Sequence, residues 1–230
     1  MIVLIGASSD IGRQLLPKLL DKDNVLGTTR DVTKLSDFSG HDNFSCVELD
    51  LTDNSSIQNF CSEAGKISGQ ITFINLSSIS IDKLFLGYTP EEWEAVLSVN
   101  LTGGMRILQS VIPLMMKSGW GRIISISSVV AQSSVVGAAA YSASKAAVKA
   151  MTRTLAHEYG RFGITANSLV LGYFNTGLIN SLDSKRKQAV LDRIPSKKFG
   201  TCDDIFYAIE HIMKSGYLNG SEITIDGGLM

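Results

Sequence analysis

The sequence predicts one α/β domain built on a doubly wound parallel sheet, and three observations predict it. Short apolar runs alternate with helical patterns along the whole chain. Most of those runs are too continuously apolar for a sheet with one wet face, and read as parallel strands covered on both sides. No Pro/Gly/Ser-rich linker, shift of composition or internal repeat divides the 230 residues. Alternating strand and helix implies βαβ units with right-handed crossovers.

The strand candidates are Ile2–Ile5, Val25–Thr29, Phe44–Leu49, Ile71–Leu76, Arg122–Ser127, Ile164–Leu169 and Glu222–Ile225. Between them, Ile11–Leu20 carries apolar residues at 11, 15, 16, 19 and 20, a helical spacing. Ser55–Gly65 is a weaker helical pattern, and Leu101–Lys117 and Ala138–Tyr159 are the longest. A further helix starts at Thr89-Pro90-Glu91-Glu92, with Thr as N-cap, Pro at the first helical position and Glu at the third. Ile205–Lys214 is the last. Leu101–Lys117 is apolar around much of its circumference, where a surface helix shows a single stripe. The surplus predicts a homodimer or homotetramer with an isologous interface.

Composition narrows the function. A hydrophobic content of 44% and a charged content of 19% support a sizeable core. The formal net charge of −1 gives no electrostatic reason to expect nucleic acid or an anionic membrane as partner. The continuous apolar runs fall well short of the ~20 residues that a membrane span needs, and the opening MIVLIGASS lacks a basic leader pattern. Cys46, Cys61 and Cys202 are odd in number and widely spaced, which fits a reduced, cytoplasmic setting rather than a disulfide framework or a zinc site. His41, His157 and His211 share no motif, so no metal is expected.

Three places carry chemistry. The first strand runs into Gly6-Ala7-Ser8-Ser9-Asp10-Ile11-Gly12 and then a helix. A glycine turn there lets backbone N–H groups approach a pyrophosphate at a helix N-terminus, whose dipole favours an anion. Tyr141 and Lys145 lie four residues apart in Tyr141-Ser142-Ala143-Ser144-Lys145, so a phenol and an amine share one helix face. Ser127-Ser128 closes a strand one loop earlier, at the carboxyl edge where α/β sheets form their ligand crevice.

Taken with Asn100, which sits between two helical patterns, these motifs resemble the short-chain dehydrogenase/reductase family over nearly the whole chain. The nearest similarity is to its 3-oxoacyl-[acyl-carrier-protein] reductase branch. It includes the segment Gly172–Gly200, Arg193-Ile194-Pro195, and the ending from Leu218-Asn219-Gly220 to Ile225-Asp226-Gly227-Gly228. The resemblance implies a Rossmann-type sheet of seven strands in the order 3-2-1-4-5-6-7. It implies NADP(H) as cofactor, a small-molecule or acyl-thioester carbonyl as substrate and, for this branch, a place in fatty acid biosynthesis. A ketoreductase for a keto-sugar or secondary metabolite, and a nucleotide sensor without chemistry, are the alternatives. Substrate choice would reside in the segment 173–200, read as mobile.

Residue by residue, the resemblance makes Tyr141 the acid/base and Lys145 the group that binds the nicotinamide ribose and lowers the tyrosine's pKa. It makes Ser128 the holder of the substrate carbonyl, and Asn100 the support of a water relay to the lysine. Gly6, Ser8, Ser9, Ile11 and Gly12 match the phosphate turn, Asp50 and Leu51 the adenine contact, Asn75 the first Asn of the family's Asn-Asn-Ala-Gly motif, and Phe174 and Thr176 the nicotinamide end. Asn100 also reads as a helix cap, and Asp50 as part of a cap cluster with Thr52 and Asp53.

The chemistry of the residues agrees. Reducing a ketone leaves an alkoxide that needs a proton, and a cation beside a phenol of ordinary pKa ~10 favours the phenolate. The second strand ends at Thr29-Arg30, where an acid would accept from a ribose 2′-hydroxyl and an arginine accommodates a 2′-phosphate. Thr29 and Arg30 therefore predict a preference for NADPH, with Asp31 the acid if the strand end is displaced by one residue.

Three departures from the family pattern stand out. Asp10 replaces the middle glycine of the turn and is expected to point away from the phosphates, capping backbone N–H groups. Asn75-Leu76-Ser77-Ser78 replaces Asn-Asn-Ala-Gly, and Leu171-Gly172 replaces Pro-Gly.

Overall fold

The computed structural model describes residues 1–176, 179 and 183–230. Its centre is a parallel sheet of seven strands in the order β3-β2-β1-β4-β5-β6-β7. The strands are β1 (Ile2–Ile5), β2 (Val25–Thr29), β3 (Phe44–Glu48), β4 (Ile71–Asn75), β5 (Gly121–Ser128), β6 (Ile164–Leu171) and β7 (Glu222–Ile225). The α-helices among the described residues are α1 (Asp10–Leu20), α2 (Asn54–Ala64), α3 (Pro90–Leu97), α4 (Gly103–Ser118), α5 (Ala139–Tyr159), α6 (Ser184–Arg193) and α7 (Cys202–Lys214). Every residue of β1, β2 and β6 is buried, as strands covered on both faces require. One core packs α1 and α7 on the sheet through Leu15, Leu19, Ile205 and Ile209. The other packs α2 and α4 on the opposite face through Phe60, Ile107, Val111 and Met115.

The start at Thr89 is a full capping box: the Thr89 side chain accepts from the Glu92 amide, and the Glu92 carboxylate accepts from the Thr89 amide. This ties down the helix that leads to Asn100. The two patterns on either side of Asn100 are not separate helices. Pro90–Ser118 is one helical run, with a π-helical turn over Ser98–Thr102 at its middle. By length and composition that run could cross a membrane, which counting uninterrupted apolar residues does not register. Here its inner face is core: Val96, Ile107, Val111 and Met115 are fully buried. The apolar circumference that predicted a partner subunit is largely covered by the chain itself. Leu101, Met105 and Leu114 are partly buried and Met116 is 36% exposed.

The described ends of the segment 173–200 are joined to each other. Phe174 and Gly200 form a parallel bridge, with Asn175 N–H donating to the Gly200 carbonyl at 3.0 Å and Gly200 N–H to the Tyr173 carbonyl at 2.9 Å. The two ends are thereby clipped together. Asp183 caps α6 by accepting from the Arg186 amide. No residue of α6 is buried, so it has no apolar stripe to announce it. Residues 177, 178 and 180–182 of the segment lie outside the described residues.

Candidate active site

The carboxyl ends of β1, β4 and β5 and the N-terminus of α1 surround one crevice. Gly6 leaves β1 at φ +80°, a conformation that glycine adopts without strain. A Cβ on Gly6 would lie 2.9 Å from the Ser77 hydroxyl, and one on Gly12 would lie 2.6 Å from the Gly6 and Ala7 carbonyl oxygens. Both positions therefore exclude side chains and let backbone approach backbone. The Ser9 hydroxyl caps α1 by accepting from the Gly12 amide at 3.1 Å. Asp10 is the first residue of α1, in the acidic first turn that follows the Ser9 cap, and it lines the crevice on its substrate side. Ile11 packs against the core on the α1 and α7 face.

One arm of the crevice is a cavity of about 250 Å³ lined by Gly6, Ser8, Ser9, Thr29, Arg30 and Asp50, among others. β2 ends at Thr29, whose hydroxyl lies 2.7 Å from the Ser8 hydroxyl and accepts from the Asp31 amide at 3.1 Å. Asp31 faces elsewhere. It caps the short 3-10 turn Val32–Phe38, accepting from the Thr33 amide and hydroxyl, and those bonds hold its carboxyl below the usual range. The register that would make Asp31 the ribose acid is thus not the one adopted. Lys34, which sequence reasoning missed, joins Arg30 on the cavity wall. Its only sequence signal is its place four residues on, which the turn converts into proximity. Among the described residues neither cation forms an ion pair, whereas nearby Arg13 is paired with Asp37 at 2.6 Å.

Asp50 accepts from the Thr52 amide and hydroxyl, while the cap of α2 is Asp53. Leu51 is buried against Gly103. Both line this arm. Asn75 does not: its Oδ1 accepts from the Ser77 amide at 3.0 Å and its Nδ2 lies against Gly104, so it fixes the turn from behind.

The other arm, about 540 Å³, holds the predicted catalytic side chains. Ser128, Tyr141 and Lys145 all line it, as do Phe174 and Thr176. Phe174 is also part of the core, stacked on Gly200. The Ser128 hydroxyl caps the turn Val129–Ala131 by accepting from the Val130 amide at 3.2 Å, and it also faces the Tyr141 phenol. Asn100 is not a helix cap. It is buried, donates to the Ile79 carbonyl at 2.9 Å and to the Ser144 hydroxyl at 3.0 Å, and accepts from the Ile79 amide at 2.8 Å. The π turn aims this side chain sideways out of a continuous helix, a common use of that geometry. Between Asn100 and Lys145 lies a polar-walled cavity of about 10 Å³, near the size that one water molecule needs.

Lys145 donates from Nζ to the Ile126 carbonyl at 2.9 Å, with Nζ 5.6 Å from the centre of the Tyr141 ring. Burial lowers its pKa from 10.5 to about 8. Burial also pushes the Tyr141 phenol up, opposed by the hydroxyls of Ser78 and Ser128. The expected lowering of the phenol by the lysine is therefore not what this structure displays. The ammonium lies over the ring face rather than beside the hydroxyl, and desolvation weakens its own charge.

A buried lysine has a stability consequence. Between pH 8 and 10.5 the unfolded chain holds the Lys145 proton and the folded protein does not, so stability rises with pH through that window. Below about pH 8 the cost is fully present. Lys145→Met should therefore stabilise the cofactor-free protein by about 3 kcal/mol at pH 7, with the gain vanishing towards pH 10.5. Urea unfolding of both proteins at pH 7 and pH 10 checks this, and equal gains at the two pH values would contradict it.

A glycine turn opening a helix, with a hydroxyl, a phenol and an amine gathered at the same sheet edge, is the arrangement of a dinucleotide-dependent oxidoreductase. The chain belongs to the short chain dehydrogenase family, whose profile matches residues 1–187. It is 34% identical to Nodulation protein G of Azospirillum brasilense, over 81% of this chain and 77% of that protein. It is 30% identical to a 3-oxoacyl-[acyl-carrier-protein] reductase of Haemophilus influenzae, over 99% of this chain and 96% of that protein. Among solved structures it is similar to a gluconate 5-dehydrogenase from Burkholderia cenocepacia in complex with NADP and tartrate. The TM-score is 0.90 at 27% identity, covering 99% of this chain and 94% of that one.

Proposed function

We propose that the protein is an NADPH-dependent carbonyl reductase whose favoured substrate is a 3-oxoacyl thioester. The observation that carries this reading is the placing of the Tyr141 phenol, flanked by serine hydroxyls and underlain by Lys145, in a cavity with apolar walls. Ile79, Val130, Val135, Leu171 and Ile179 form much of that wall, which suits an acyl chain better than a polyol. The gluconate 5-dehydrogenase likeness supports the second reading, a keto-sugar.

The residues fit NADP(H). Gly6 and Gly12 make room for a pyrophosphate at the α1 N-terminus, and Arg30 with Lys34 offers charge to a 2′-phosphate. When bound, the cofactor supplies hydride to the carbonyl carbon. Ser128 and Tyr141 hold the carbonyl oxygen by donating hydrogen bonds, which strengthen as negative charge grows there. Tyr141, protonated at neutral pH at its ordinary pKa of ~10 and held so by burial, passes its proton to that oxygen. Lys145, lowered to about 8 and so able to exchange a proton near neutrality, resupplies it through an intervening hydroxyl or water, since its Nζ lies over the ring face and not beside the phenol oxygen. Asn100 holds Ile79 and Ser144 in place around it.

Supplying NADPH with a panel of 3-oxoacyl thioesters and keto-sugars tests the substrate assignment. Faster oxidation with the thioesters is expected. Preference for the sugars would move the protein to the second reading, and no oxidation with any carbonyl would make it a sensor. We take the active protein to be a cytoplasmic homodimer or homotetramer, acting without nucleic acid or membrane. Light scattering at micromolar concentration should give at least twice 24.8 kDa, and a monomer would contradict it.

A further inference from the structure

We propose that Ser78 is a positioning residue for Tyr141, a third hydroxyl of the reducing site that holds the phenol oxygen during proton transfer. The inference rests on the carbonyl-reductase reading for its role in turnover, but the contact itself can be tested without turnover.

Ser78 lies where both arms of the crevice meet, and it lines each of them. Its hydroxyl and that of Ser128 flank the Tyr141 phenol. The backbone on either side is pinned. Asn75 Oδ1 accepts from the Ser77 amide at 3.0 Å. Asn100 grips Ile79 twice, accepting from its amide at 2.8 Å and donating to its carbonyl at 2.9 Å. Ser77 in turn abuts Gly6 of the phosphate turn, where an added Cβ would come within 2.9 Å of its hydroxyl. The place of Ser78 is thus set by two asparagines and a glycine, not by a free loop. The side chain stands at the position where the family pattern has a glycine, so the hydroxyl is an addition of this chain.

The chemistry follows from the geometry. In the transfer step the Tyr141 O–H bond breaks, the proton bonds to the substrate's alkoxide oxygen, and the electron pair stays on the phenol oxygen. A hydroxyl donating to that oxygen from Ser78 leaves the phenol proton directed at the substrate. Its bond then strengthens as the phenolate forms, since a charged acceptor roughly doubles a hydrogen bond. With Ser128 donating to the substrate oxygen, Ser78 acts on the phenol against burial and the charge of Asp82, which both hold it protonated. Among the described residues, Lys145 is the cation that faces the ring, over its face.

The test compares Ser78→Ala and Ser78→Thr with the unaltered protein. The Tyr141 phenol is titrated by ultraviolet difference against the matching Tyr141→Phe protein, which removes the signal of the other five of the chain's 6 tyrosines. In Ser78→Ala the phenol should titrate at higher pH and kcat should fall about tenfold, with NADPH affinity changed less than about twofold. Ser78→Thr, which keeps the hydroxyl, should restore both. An unmoved titration in Ser78→Ala would overturn the proposal. So would a loss of kcat that follows a loss of NADPH binding, because that is a structural effect. If the unaltered protein reduces no carbonyl, the reductase reading fails while the titration still decides whether Ser78 holds Tyr141.

Discussion

Tyr141→Phe is expected to lower kcat by a factor of about 10² to 10⁴, the range that a positioned proton donor contributes. NADPH affinity should stay nearly unchanged. The ring remains to pack beneath Lys145, whose Nζ bonds the Ile126 carbonyl rather than the phenol, and the glycine turn is untouched. Only the hydroxyl that faces Ser78 and Ser128 is lost. Both quantities come from one purified protein, by steady-state kinetics and by NADPH fluorescence titration. A kcat within about threefold of the unaltered protein would remove Tyr141 from the mechanism.

The second large effect concerns cofactor choice. Thr29→Asp places a carboxylate at the end of β2, on the wall shared with Arg30 and Lys34. At about 5 Å from a phosphate charge it costs ~3 kcal/mol per unit charge at an effective dielectric of ~20. That is about 150-fold in NADPH affinity, and the same carboxylate should favour the free ribose hydroxyl of NADH. Arg30→Ala removes a charge-assisted contact of roughly 1.5–3 kcal/mol, about 10- to 150-fold. Because Lys34 lines the same wall, we expect the single substitution near the low end of that range and the Arg30→Ala, Lys34→Ala pair near the high end. kcat/KM for both cofactors measures this. Equal weakening of NADPH and NADH in Arg30→Ala would show that the side chain serves stability rather than the 2′-phosphate.

Much of the architecture was written in local signals. Strands buried on both faces carry no charge and no alternating wet face, so Ile2–Ile5 and Val25–Thr29 could be placed to the residue. The Thr89 box and the Gly6–Gly12 turn are likewise local chemistry. What stayed hidden depends on geometry across the chain. Asn100 looked like a break because its polarity interrupts two apolar patterns, yet a π turn carries the helix through it. The helix Ser184–Arg193 escaped notice because it buries nothing. Lys34 and Ser78 reach the site through a 3-10 turn and a pinned loop, neither of which leaves a periodic trace. The pairing of Tyr141 with Lys145 was legible from their spacing. The direction the amine takes was not, because it follows from the buried Ile126 carbonyl beneath it.

The most direct test of a reducing site at Ser128, Tyr141 and Lys145 is to follow the hydrogen itself. The unaltered protein is supplied with NADPH deuterated at C4 of the nicotinamide and a 3-oxoacyl thioester, and the product is analysed by mass spectrometry. One deuterium on the new carbinol carbon, absent when Tyr141→Phe is used, is the predicted result. Cofactor that binds but leaves the carbonyl unreduced would contradict the account.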